Sequence, residues 1–110
     1  MTALTEGTDF QIIGVETAGM VSRVHVKTIN TVDDGDTFTV DLTKYGINAT
    51  GMRSVEGWIH TTANSIMVLE APTTAVSSGT LTVTVGGSTD NKQRYYEIVG
   101  YNVPNPSSAL

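Results

Sequence analysis

Cysteine is absent from this chain of 110 residues, which removes disulfides, thiolate metal centres and cysteine nucleophiles together. Basic residues are scarce: Arg23, Lys27, Lys44, Arg53, Lys92 and Arg94 stand singly against eleven acidic residues, for a net charge of −5. With no basic stripe, a nucleic-acid partner is not expected. Charged residues reach only 15% and hydrophobic residues 39%, both low for a self-contained enzyme. No apolar run approaches the ~20 residues that a membrane-spanning helix needs. The start, "MTALTEGTDF", has neither a basic n-region nor an apolar h-region. The expectation is a soluble chain made in the cytoplasm, with no membrane partner.

Threonine fills much of the space left by charge and large apolar groups, with 18 residues. It is β-branched, suits strands and is a weak helix former, so the composition predicts an all-β protein. At this length folding buries roughly two-thirds of the surface the unfolded chain exposes, enough for one core and one domain. With no disulfides, stability must come from packing or from association.

Two-residue periodicity predicts seven strands. "FQIIGVE" (10–16) contains a glycine that suits a bulge. "MVSRVHVKTIN" (20–30) places Val24, Val26 and Thr28 on one face, and Arg23, His25 and Lys27 on the other. "DTFTVDL" (36–42) turns Phe38, Val40 and Leu42 inward. "RSVEGWIH" (53–60) alternates less cleanly. "NSIMVLEA" (64–71) is apolar on both faces and is predicted to be a central strand covered twice. "TLTVTVGG" (80–87) turns Leu81, Val83 and Val85 inward, and "RYYEIVGYNV" (94–103) closes the set. Asp34–Gly35, Ser78–Gly79 and Gly86–Gly87 are turn signals. The longest irregular connection, "KYGINATGM" (44–52), has room for one helical turn. Seven strands at about ten-residue spacing predict an antiparallel β-sandwich or a small jelly-roll-like barrel. The organisation expected is an N-terminal arm over 1–9, a β domain over 10–101 and an extended arm over 102–110. Pro104 and Pro106 make that last segment incompatible with a strand, and a neighbouring subunit or lattice is expected to hold it.

Asp33, Asp34 and Asp36 flank Gly35 in a pattern that suggests a calcium loop. Such a loop needs oxygen ligands at alternate positions and a bidentate glutamate near the twelfth. Here the alternates are Gly35 and Thr37, and Lys44 stands where the glutamate belongs. The expectation is a hairpin turn, with a weak surface cation site as the alternative and no metal or cofactor assigned.

His25 and His60 lack a second ligand at a recognised spacing, and no nucleophile and orienting acid can be paired with either. Both are expected to be satisfied structural histidines. Glu6, Glu16, Glu56, Glu70 and Glu97 are dispersed, so no carboxylate pair is assigned to acid–base work. Gly86–Gly87 lacks the helix and lysine of a phosphate loop. Trp58, Tyr45, Tyr95, Tyr96 and Tyr101 could form a platform for sugars, although Tyr95 and Tyr96 must face opposite ways. Packing and interface roles are the preferred reading. Thr37-Phe38-Thr39 and Thr82-Val83-Thr84 are similar to ice-binding ladders, but two runs are too few, and solvent-facing threonines account for them. No catalytic residue emerges, and an enzyme is not expected.

Residues 28 to 101, from "TVDDGDTFTVDLTKYGI" through "VEGWIHTTANSIMVLEAP" to "SSGTLTVTVGGSTDNKQRYYEIVGY", resemble the small all-β virion structural proteins of tailed phages, most of all the capsid decoration (cement) class. The Asp-Gly-Asp-Thr turn, the "SGTLTVTV" strand and the tyrosine-rich last strand carry the likeness. It implies a protein on the outer virion surface, bound in many copies to the major capsid protein and to itself, often as a homotrimer. Such a domain has surface for two or three interfaces, each burying roughly 1,600 Å² in total. Copies on a shell gain by avidity, and strand edges can add to a partner's sheet. Candidate interface residues are Leu4 and Phe10, Tyr45 and Ile47 in the long connection, and Val103 and Leu110. A tail-tube, head–tail connector or fibre-associated component, and a carbohydrate-binding or adhesion module using Trp58 or Tyr45, remain alternatives.

Overall fold

The computed structural model of the protein describes residues 2–48, 50–62, 66–87 and 89–102. Eight strands run β1 Phe10–Ala18, β2 Val21–Thr28, β3 Thr37–Asp41, β4 Met52–Thr62, β5 Ile66–Leu69, β6 Thr73–Ser77, β7 Thr80–Thr84 and β8 Arg94–Tyr101, and Leu42–Tyr45 forms one turn of 3₁₀ helix. They build an antiparallel sandwich. One sheet has five strands in the order β1-β2-β8-β4-β5, and the other has three in the order β3-β7-β6.

The core lies between the sheets and follows the alternation of the strands. Val24 and Val26 of β2 and Tyr96 and Ile98 of β8 meet Phe38 and Val40 of β3 and Leu81 and Val83 of β7. Phe38 joins the layers, with its ring centroid 4.9 Å from that of Phe10 and 5.3 Å from that of Tyr96. Leu42 and Ile47 close one end of the core, Ile47 following a left-handed Gly46 that ends the 3₁₀ turn. The register between β1 and β2 shifts from Ile12 to Gly14, which is the predicted bulge.

Three local expectations are corrected. β5 is an edge strand and not a central one: it pairs with β4 alone, and Met67, Val68 and Leu69 are 51%, 46% and 68% exposed. Apolar residues on both faces are equally the pattern of a twice-covered strand and of an edge with apolar sides left open, so periodicity alone does not separate the two. Asp34–Gly35 does not close a hairpin, because β2 and β3 belong to different sheets and the turn lies on the crossover between layers. Thr73–Ser77 is a strand that the sequence pattern misses, since all five of its residues are exposed and no face alternates.

Candidate functional site

The five-stranded sheet has an outer face as well as a core face. In register across it lie Arg23, His25 and Lys27 of β2, Val99, Glu97 and Tyr95 of β8, and Glu56, Trp58 and His60 of β4. Beyond them Leu69 lies opposite Trp58 and Met67 opposite His60 on β5. Ile13, which sits in the β1 bulge, is half exposed. Together Ile13, His25, Trp58, His60, Met67, Tyr95 and Glu97 line a groove of about 530 Å³. That volume falls within the roughly 300–1,000 Å³ of small-molecule sites.

The groove is aromatic on one side and charged on the other. Trp58 and Tyr95 are neighbours across β4 and β8, and the His60 ring is tilted against Tyr95 at 5.4 Å. His60 is 7% exposed, yet neither Nδ1 nor Nε2 has a hydrogen-bond partner among the described residues. The expectation of a satisfied histidine therefore fails at His60. It holds at His25, whose Nε2 lies 2.6 Å from Glu16 Oε1. Glu97 Oε2 lies 4.0 Å from His25 Nδ1, and Glu97 Oε1 lies 3.9 Å from Arg23 Nε, so the carboxylate sits between the imidazole and the guanidinium. The sequence pattern favours packing or interface roles for Trp58, with sugar binding as an alternative, and names no neighbours for it. Register supplies the missing information by placing Tyr95, Glu97 and His60 beside it.

A second feature is the margin of the sandwich where β5 and β6 lie. Among the described residues no strand pairs with the free side of either one. Val76 on β6 is 41% exposed, which adds to Met67, Val68 and Leu69. On the other side the chain covers the first residue of β3, where Thr37 N donates to Thr2 O, Leu4 N donates to Thr37 O and Ala3 bridges to Thr37 in parallel, and it bridges β1 at Phe10 through Glu6.

The predicted interface residues are distributed unevenly. Phe10 and Ile47 are 4% and 1% exposed inside the core, which leaves them almost no surface to offer a partner. Leu4 and Tyr45 are half-buried and pack against the core from outside, with Lys44 Nζ 5.5 Å from the centre of the Tyr45 ring. Tyr45 does not line the groove. Val103 and Leu110 lie outside the described residues.

The aspartates form a turn. Asp36 accepts the amides of Asp33 and Thr2, Asp33 accepts that of Asn91, and Asp90 accepts that of Asp34. Gly35 has φ +92°, a left-handed conformation that glycine adopts without cost, and its amide donates to Val85 O. The two threonine runs pair across β3 and β7, Thr37 with Thr84 and Thr39 with Thr82, on the face away from the core.

Among solved structures, the fold is similar to the bovine atadenovirus type 4 fibre head protein, with a TM-score of 0.50 and 7% identity over 82% of this chain and 84% of that one. A looser similarity, at TM-score 0.45 and 17% identity, covers 83% of this chain and 18% of the catalytic domain of GH30 xylanase C from Talaromyces cellulolyticus. The chain therefore spans less than a fifth of the xylanase domain's length. No family model and no curated protein matches the sequence. At 7% identity the likeness to the fibre head is one of fold.

Proposed function

We propose that the chain is a non-enzymatic virion structural protein, made in the host cytoplasm, that binds the outer capsid surface in many copies and stabilises the shell. The observation that carries this reading is the open β5–β6 margin, with four large apolar side chains between 41% and 68% exposed. Monomeric proteins usually blunt such edges with lysine, proline, bulges or a covering segment. Neither Ile66–Leu69 nor Thr73–Ser77 contains a lysine or a proline. Apolar side chains exposed along unpaired edges of this kind support a surface that a partner covers.

The partners in this reading are other copies of the chain, as a homotrimer, and the major capsid protein, reached by strand addition at the margin. Leu4, which bonds Thr37 of β3, and Tyr45, in the turn after β3, add surface on the opposite side, and Val103 and Leu110 belong to an arm assigned the same role. A fibre-associated position on the virion is the second reading, favoured by the fold shared with a viral fibre head. The test is sedimentation velocity over a range of concentrations, joined to hydrogen exchange of the β5 and β6 amides. The expected result is a concentration-dependent trimer whose formation protects those amides. A chain that stays monomeric, with β5 and β6 exchanging freely in the presence of virions of the encoding phage, overturns the reading.

A further inference from the structure

The groove on the outer face of the five-stranded sheet has a chemistry that assembly through the β5–β6 margin does not require. We propose that it binds a neutral pyranose sugar. Trp58 and Tyr95 are half-buried, adjacent across β4 and β8, and apolar on their faces, and Ile13 on β1 of the same sheet adds an apolar side chain to the lining. Such surfaces match the C–H face of a sugar ring. His60 is 93% buried beside Tyr95, with both ring nitrogens unpartnered among the described residues. Buried polar groups are nearly always hydrogen-bonded, so two orphaned nitrogens on one ring facing a groove call for a ligand that supplies the partners. A neutral imidazole presents one donor and one acceptor, and a hydroxyl can answer either. Glu97 supplies further acceptors on the far side of the groove.

Other ligand classes fit less well. A purely apolar occupant would leave His60 unpaired and add desolvation of Glu97. An anion would face Glu97, while the nearby Arg23 and His25 are already engaged by Glu97 and Glu16. A simple cation would answer Glu97 but not the donor nitrogen of His60. A polyol with one apolar face satisfies the aromatics, the imidazole and the carboxylate together.

Trp58 is the only tryptophan in the chain and lines the groove, so its fluorescence reports occupancy directly. The experiment titrates the intact chain with glucose, galactose, mannose and N-acetylglucosamine, and with N-acetylneuraminic acid as the anionic comparison. The expected result is a saturable change with at least one neutral sugar and none with the acid. His60→Phe keeps the stacking on Tyr95 and removes both nitrogens, and is expected to weaken binding at least tenfold with unchanged circular dichroism. Glu97→Gln, a near-isosteric change, is expected to weaken it several-fold and serves if the histidine variant does not fold. The proposal is overturned if no neutral sugar gives a saturable signal, or if the folded variants bind as the parent does. It is equally overturned if the Trp58 signal follows protein concentration and ignores sugar, which would identify a second copy as the occupant. Assembly is read separately by sedimentation, so failure here leaves the structural role standing.

Discussion

Arg94 has no solvent exposure, and its guanidinium is the most heavily bonded side chain described. Nε donates to Glu70 Oε1 at 2.7 Å, Nη1 to the carbonyls of Val32 and Lys92, and Nη2 to that of Thr89. Glu70 is itself 8% exposed, so the pair is a buried one that ties the end of β5 to the loops around Val32 and Thr89. Removing one member strands the other charge, a change that costs about 3–5 kcal/mol. Arg94→Met is therefore expected to lower stability in urea denaturation by about that amount, and Arg94→Met with Glu70→Leu to recover much of it. Tyr96 is a second such residue. Burial pushes its phenol well above the ordinary 10.0, with the Arg94 charge opposing and the Glu70 charge adding. Above pH 10.0 the unfolded chain loses a proton that the folded chain keeps, so this group's contribution to stability declines as the solution becomes more alkaline. The phenol oxygen also lacks a partner among the described residues. Tyr96→Phe should match or exceed the parent's melting temperature at neutral pH and fall less steeply on alkaline titration. Neither role is legible in the sequence. Arg94 looks like one more isolated cation, because three of its acceptors are main-chain carbonyls brought close only by folding.

At the level of elements, side-chain alternation carried most of the information. Val24, Val26, Phe38, Val40, Leu81 and Val83 all face the core as the two-residue period requires. Alternation gives a strand its faces but not its neighbours, which is why β5 was misplaced and the Asp34–Gly35 turn misread as a hairpin. The groove was hidden for the same reason: Trp58 and Tyr95 are 37 positions apart and meet only through the β4–β8 register. Turn chemistry was legible where the loop is short. Ser77 pairs with Thr80, and the two residues between them, Ser78 and Gly79, have φ of +51° and +79°. That is the primed turn that matches strand twist, and asparagine tolerates its first position better than serine does. Ser78→Asn is expected to stabilise the β6–β7 hairpin by on the order of 0.5 kcal/mol, seen as a higher urea midpoint with an unchanged slope.

On the scale of the molecule, the edges of the sandwich differ in how the chain covers them, and the difference bears on where a partner can add. Residues 2–4 bond Thr37 at the start of β3, and Gly7 N donates to Phe10 O at the start of β1, so the chain itself covers that side at those two points. The β5–β6 side is open among the described residues and carries Leu69, at 68% the most exposed large apolar side chain described. A single charge there tests assembly without touching the core. Leu69 is an exposed edge residue, so Leu69→Lys should change monomer stability by no more than about 0.5 kcal/mol. Desolvating an unpaired lysine in an apolar contact is far more costly, so the same substitution should abolish the concentration-dependent trimer. Sedimentation velocity of parent and variant at matched concentration, with urea denaturation as the control, separates the two effects. An equally stable variant that still forms the trimer would place the contact elsewhere on the molecule. An equally stable monomer would assign the margin to self-association, and shell binding by that monomer would then decide whether the capsid protein occupies the same edge.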